Sequence, residues 1–453
     1  MPEWFEGENP TNKYKRDMKA KQKKFQEQDK YVLVETTHGE FKENNFLQLL
    51  EKRMLKALEG KYPNKKFTFT SLSYDELVRR LWEECRESTK AMPLNISRFI
   101  RIAKTYSLTP EDIERRLSDE RWSQKQEAFA KIAVKLYKRY EKELRSANQI
   151  DFGDMINLAV KELKEKENLY RNVFDHILVD EYQDISTQRY ELIKELMGKN
   201  PDCKLFCVGD DWQSIMGFTG SELDFFVKFD EYFDHPARTD LTINYRSIKS
   251  VVDAGAEIIR HNGDAQLKKE TTAHDDKTKP IKVYSSLHQK EYYKQYYSQI
   301  AEHCVKSVSE YLKKGYKPED IMILSRIVNR PKMIGPLLDY ATMTKVPISK
   351  DSKKMHHIRL MSVHKSKGLQ ARAVFMLNVD KGMYGFPCEL ENPDIFEPAK
   401  KGWKKDREEE ERRLFYVAVT RAKEDVIIYN QKCGESKFLK EIENHTIVEE
   451  LPY

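Results

Sequence analysis

Two adjacent carboxylates stand at the end of an apolar run in Ile177-Leu-Val-Asp180-Glu181-Tyr182-Gln183-Asp184. A Mg²⁺ ion carrying nucleotide phosphates needs hard oxygen ligands, and the water that attacks a phosphate needs a base or an orienting group. Asp180 fits the metal role and Glu181 the water role, although an ordinary acidic turn at a strand end has the same wording. A second apolar run leaves through Val208-Gly209-Asp210-Asp211-Trp212-Gln213-Ser214. Gln213 suits a hydrogen bond to a γ-phosphate or to its attacking water. Phe218, flanked closely by Gly217 and Gly220, offers a flat ring on which a nucleic-acid base gains about 1–3 kcal/mol by stacking; taken alone it reads rather as a core aromatic.

Three further segments carry similar chemistry. In Asn244-Tyr245-Arg246-Ser247 the tyrosine ring fits an adenine, and the arginine's planar fork fits a terminal phosphate. In Met361-Ser-Val-His364-Lys365-Ser-Lys367-Gly-Leu-Gln370 His364 and Lys367 suit DNA phosphates, or else a solvated basic turn. The run Glu409-Glu-Glu-Arg412-Arg413-Leu-Phe-Tyr-Val-Ala-Val-Thr-Arg421 places an arginine beyond an apolar helical stripe. Against a γ-phosphate such a residue contributes about 10³–10⁵ in rate; without one, the segment is a surface helix with ion pairs.

Something must position these groups. From about Leu72 to Leu144 the pattern is helical and heavily charged, and Phe46, Leu49, Leu50, Met54 and Leu58 also fall at helical spacing. Tyr31 to Glu35 is a short strand candidate. After Ile150 short apolar runs alternate with helical stretches: 177–180, 205–208, 281–284, 321–324, 374–377 and 426–429. That alternation predicts buried parallel strands with covering helices, and ligands in such sheets sit beyond the strands' carboxyl ends.

The chain has 453 residues, room for two or three domains of roughly 100–200 residues each. It is 34% charged, and its net charge of +6 is too mild to imply nucleic acid by itself. Aromatic residues at 11% suffice for cores, which argues against global disorder. The start, Met1-Pro-Glu-Trp-Phe-Glu6, does not read as a signal peptide. No apolar run approaches the roughly 20 residues that span a bilayer. The cysteines at 85, 203, 207, 304, 388 and 433 suggest neither a disulfide framework nor a metal set. A cytoplasmic, reduced protein with no membrane partner is expected.

The five segments, in this order, resemble motifs II to VI of UvrD-like superfamily 1 helicases, and Asp-Glu-Tyr-Gln-Asp-Ile-Ser and Gly-Asp-Asp-Trp-Gln are similar to the helicase IV branch in particular. The resemblance spans about residues 72–453, and Asp151-Phe-Gly-Asp154 also resembles a short segment that such proteins carry before motif II. It implies an α/β fold: two RecA-like parallel-sheet lobes, the first incomplete, with a helical accessory subdomain. The implied divisions are 1–60, the tail of a nuclease-like insertion around Trp4–Thr11 and Tyr31–Glu35; 61–147, helical; 148–240, the rest of the first lobe; and 241–453, the second lobe with a reduced insertion. It further implies ATP and Mg²⁺ between the lobes, and movement 3′ to 5′ on single-stranded DNA. By carry-over Asp180 and Glu181 handle Mg²⁺ and water, Gln213 senses the γ-phosphate, Tyr245 stacks on adenine, and Arg246 and Arg421 clamp phosphate. Gln370 falls at a nucleotide-contacting position, and Phe218, His364 and Lys367 at DNA-contacting ones.

Departures from the pattern matter as much. No Gly-x-x-x-x-Gly-Lys-[Ser/Thr] phosphate loop occurs; the pairs Gly60-Lys61 and Gly198-Lys199 lack its flanking residues. The chain is therefore expected to begin after that loop and to need an upstream fragment that carries it. The alternative is a non-catalytic nucleic-acid-binding module, or an inactive remnant of such a helicase. Thr219 stands where many relatives have Arg, and Gln370 where many have Glu. The short span from Asn244 to His364 suits translocation better than processive strand separation. A first lobe lacking its leading strand and helix is also expected to expose apolar sheet edges.

Overall fold

The computed structural model describes residues 46–69, 91–263, 266–287, 293–351, 356–389, 394–400 and 407–451, with short pieces before residue 81 and at 353–354. The chain divides into two compact units, Met1–Met92 and Pro93–Tyr453. In the first, helix α1 (Phe46–Lys61) forms where the apolar spacing predicts, and none of its residues is fully buried. Leu33 to Glu35 form no strand, while Tyr31, Val32 and the Trp4–Thr11 segment lie outside the described residues.

The second unit opens with helices α2 (Met92–Thr105), α3 (Pro110–Asp119) and α4 (Gln124–Ser146). Each of the latter two starts with a reciprocal capping box, Thr109 with Asp112 and Ser123 with Gln126, which satisfies otherwise orphaned N–H groups. Phe99 of α2 meets Phe129 of α4 edge-on at 5.8 Å. Helix α5 (Phe152–Glu165) is capped by Asp151, whose side chain and that of Asp154 form another such box. The same two carboxylates, with Glu141, receive the buried Lys104 ammonium at 2.6–2.7 Å. The Asp151–Asp154 segment is thus a helix start and an ion-pair receptor at once. Gly153 between them leaves room for the lysine, since a Cβ there would sit 3.1 Å from the Lys104 stem.

Next come β1 (His176–Val179), α6 (Thr187–Lys199) and β2 (Lys204–Cys207). The strands pair in parallel, Ile177 opposite Leu205 and Leu178 opposite Phe206. Val179, Leu205 and Cys207 pack against Tyr182, Ile185, Phe225 and Ile193 of α6. The other face is bare: Leu178 is 72% exposed and Phe206 61%. This corrects the reading of both runs as buried strands. Apolar side chains alternate across a strand, and among the described residues only one of the two faces has a cover.

The larger sheet has seven strands in the order β11-β5-β10-β9-β6-β8-β7, all parallel. Its strands are β5 (Ile281–Ser286), β6 (Ile321–Ser325), β7 (Ile348–Ser349), β8 (Ile358–Ser362), β9 (Ala371–Leu377), β10 (Ala422–Gln431) and β11 (Thr446–Glu450). Helices α7 (Lys249–Arg260) and α10 (Arg407–Val419) cover one face, where Val374, Met376, Val426 and Ile428 point. Helices α8 (Tyr293–Lys313) and α9 (Pro331–Met343) cover the other, which receives Ala373, Phe375, Ile427 and Tyr429. Burial on both faces is why these strands read as unbroken apolar runs. A separate parallel pair, β3 (Ile243–Ile248) and β4 (Thr272–Asp275), flanks α7. Among the described residues no helix is long and apolar enough to cross a membrane, and Cys203, Cys207, Cys304 and Cys388 are free thiols.

Candidate active site

The polar ends of β1 and β2 are tied together by one buried amide. Gln183, with no exposed surface, donates to the Glu181 carboxylate at 2.5 Å and accepts from the Asp210 N–H at 3.0 Å. Gly209 allows this approach: a Cβ there would lie 2.4 Å from the Gln183 Oε1. Glu181 itself has φ 52, a left-handed conformation that costs a non-glycine residue energy and recurs where function holds it. Its N–H donates to Asp180 Oδ1 at 2.8 Å. Both carboxylates are exposed, so Asp180 has an open oxygen for a hard cation and Glu181 stands one residue beyond it.

From the larger sheet, two cations reach this edge. Lys367, just after a four-residue helix at the end of β8, donates to Asp184 Oδ2 at 2.6 Å and to the Gln213 carbonyl at 2.8 Å. It lies 3.9 Å from the Glu181 carboxylate. Burial pushes the Asp184 carboxyl above its usual range, and Lys367 only partly opposes this. Arg421, between α10 and β10, is fully buried. Its guanidinium donates to the carbonyls of Val417 at 3.0 Å and Leu369 at 3.2 Å, and to Gln213 Oε1 at 3.1 Å. Burial first, and then the Arg246 charge, pulls its pKa down to about 10. Among the described residues it forms no ion pair, yet buried charges are normally paired. The acidic strand end and Arg421 thus belong to one polar cluster, joined through Gln213 and Lys367.

The remaining predicted residues line its surroundings. Arg246 is exposed at β3. Tyr245 is 74% exposed, with His274 of β4 packed on its ring at 4.8 Å. Gln370 is exposed, and its backbone carbonyl accepts from Arg359 at 3.5 Å. Phe218 is 42% exposed and meets His364 edge-on at 5.3 Å. Burial, with Arg326 nearby, pulls the His364 pKa down to about 4, so its imidazole is neutral near pH 7 and offers a phosphate no positive charge. The structure holds Lys367 in the cluster by its bonds to Asp184 and Gln213. Helix α10 is not a surface helix: Glu411, Arg412 and Arg413 are buried on it. Arg326 pairs with Glu411, and Arg413 donates to the Ser214 carbonyl at 3.0 Å. Sequence reasoning passed over Gln183, Asp184 and Lys269. The first two sit inside the acidic motif itself, whereas nothing in its own neighbourhood marks Lys269.

Comparison with known proteins shows the family. The UvrD/REP helicase N-terminal domain matches residues 10–234, and the UvrD-like helicase C-terminal domain matches residues 329–432. The chain is 29% identical over 317 residues to DNA helicase IV of Escherichia coli, covering 69% of this chain and 42% of that protein. It is 31% identical over 268 residues to DNA helicase II of Haemophilus influenzae, covering 58% and 34%. With the ATP-dependent DNA helicase PcrA of Staphylococcus epidermidis it shares 30% over 221 residues, covering 48% and 28%. The chain therefore spans well under half the length of these relatives. Two family domains matched in order place this chain in the UvrD-like family of superfamily 1 helicases.

Proposed function

We propose that this chain forms the hydrolytic side of an ATP-driven motor that moves 3′ to 5′ on single-stranded DNA, with the phosphate-binding loop supplied by a further polypeptide segment. The observation that carries the reading is Arg421: a buried guanidinium bonded, among the described residues, only to carbonyl oxygens, beside a second arginine, at the junction of two parallel sheets. Such a charge is stabilised when an anion enters.

The residues present fit Mg²⁺ and ATP. Asp180 offers one exposed carboxylate, which suits an ion that keeps waters and phosphate oxygens as its other ligands. Arg421 and Arg246 would hold phosphate, and Tyr245, backed by His274, would hold the base on its open face. Bound nucleotide supplies the phosphoanhydride whose hydrolysis drives the cycle. Glu181 orients or deprotonates the attacking water. Gln213 bridges Asp210 and Arg421, and so links the strand end after β2 to the arginine before β10. Lys367 makes a second bridge through Asp184. Rearrangement at the phosphates would therefore move one sheet against the other, and Phe218, packed on His364, would carry that shift to a stacked base.

The bare face of β1 and β2 supports the need for another segment, since parallel sheets are ordinarily covered on both sides. The test is to mix the chain with a polypeptide carrying Gly-x-x-x-x-Gly-Lys-[Ser/Thr] and its flanking strand and helix, then add single-stranded DNA. ATP turnover should appear and Arg421→Ala should abolish it; a mixture that never hydrolyses ATP sinks the motor reading.

The lack of a Gly-x-x-x-x-Gly-Lys-[Ser/Thr] run in the given sequence favours a second reading, a nucleic-acid-binding module without catalysis. It predicts single-strand binding that weakens steeply with salt and ignores ATP. An ATP-dependent change in DNA affinity would count against it.

A further inference from the structure

One lysine bridges the acidic pair that follows β2. Lys269 Nζ donates to Asp210 Oδ1 at 2.5 Å and to Asp211 Oδ1 at 2.7 Å, and lies 4.7 Å from the centre of the Trp212 ring. Asp211 is fully buried, and its other oxygen accepts from the Leu267 N–H at 2.8 Å. The other oxygen of Asp210 accepts from Gln213 Nε2 at 2.7 Å. That bond decides how the Gln213 amide faces. An ionised carboxylate only accepts and a guanidinium only donates, so the amide nitrogen must turn to Asp210 and the carbonyl oxygen to Arg421. The reverse orientation would set acceptor against acceptor on one side and donor against donor on the other. The arrangement holds while Asp210 is fixed, and its Oδ1 is fixed by the Lys269 ammonium together with the Trp212 N–H at 3.2 Å.

We propose that Lys269 is a positioning residue for ATP hydrolysis: by fixing Asp210 it orients the Gln213 amide toward Arg421. The proposal rests on the nucleotide reading of the cluster. The segment containing Lys269 continues into β4, which pairs with β3 through Asn244 opposite Ala273 and places His274 against Tyr245. One stretch of chain therefore connects the ring offered to a base with the amide offered to a phosphate.

Lys269→Met and Lys269→Arg separate this role from simple packing. The Gln213 side-chain amide is identified in ¹⁵N–¹H spectra as the signal lost in Gln213→Leu. In Lys269→Met it should shift toward the free-amide position, and in Lys269→Arg it should stay near its native place. An unmoved signal in folded Lys269→Met overturns the proposal. If Lys269→Met does not fold, Lys269→Gln is read the same way, and failure of both to fold makes Lys269 a core cation, contrary to the proposal. In the mixture that hydrolyses ATP, Lys269→Met should lower kcat by about 100-fold, the scale of a misplaced group, and change KM for ATP by less than about threefold. Adding Lys269→Met to Gln213→Leu should cost nothing more; fully additive losses overturn the proposal. Absence of turnover in the unmutated mixture would defeat the motor reading alone, because the amide signal decides the positioning role without it.

Discussion

Replacing Arg421 by methionine should leave the fold nearly as stable as before while removing its response to polyphosphate. The guanidinium is fully buried, and burial with the neighbouring Arg246 charge lowers its pKa to about 10, well below the usual arginine value. At about 1.4 kcal/mol per unit, this disfavours the charged folded form by about 3 kcal/mol. The folded value lies below the unfolded one. At pH 7 both states are charged and the cost is fully present; it is relieved only as the pH rises through about 10 toward the higher unfolded value. Methionine removes the charge and this cost at any pH. Against that, the carbonyls of Val417 and Leu369 and the Gln213 amide lose a donor, at about 1 kcal/mol each. The two effects cancel to within about 2 kcal/mol, where breaking a paired buried charge costs about 3–5 kcal/mol. Urea unfolding at pH 7, with and without tripolyphosphate, measures both quantities. At a concentration one hundred times its Kd the anion should add about 2.7 kcal/mol to the native chain and nothing to the variant. A variant destabilised by more than about 4 kcal/mol would show that a paired charge had been removed. Equal stabilisation of both chains by tripolyphosphate would show that the anion binds elsewhere.

Other perturbations follow from the same geometry. Lys104→Met leaves Glu141, Asp151 and Asp154 crowded without their cation and should cost about 3–5 kcal/mol in urea unfolding at pH 7. Burial raises the Asp151 carboxyl pKa, but the Lys104 bond and its neighbours outweigh this and hold it below the usual range. Its contribution is therefore present near neutrality and lost as the pH falls through the folded value, so the Lys104→Met deficit should shrink in acid; a deficit constant with pH contradicts this account. Phe218→Ala should weaken single-stranded DNA binding by about 1–3 kcal/mol with an unchanged salt slope, because it removes a ring and no charge. Leu178→Asp with Phe206→Asp places charges on the bare face of the small sheet. Light scattering should show less self-association of the chain, and the phosphate-loop segment should no longer restore ATP turnover.

Part of this protein is legible in its sequence. The strands β6, β9 and β10 stand out because helices cover both of their faces, which demands consecutive apolar residues. Asp180, Glu181, Gln213 and Arg421 stand out because each follows an apolar element that must end where its polar residues begin. Strands β3, β4 and β11 do not stand out: they lie at margins, where exposed polar positions interrupt the apolar signal. Tertiary structure alone decided the rest. Leu178 and Phe206 are as apolar as buried strand residues, and only the missing cover makes their face bare. Lys269 and Asp210 are 59 positions apart, and Lys367 and Asp184 are 183 apart. Sequence patterns report neighbours along one element, whereas the orientation of the Gln213 amide, the neutrality of His364 and the absence of an ion pair at Arg421 among the described residues depend on atoms that only folding brings together.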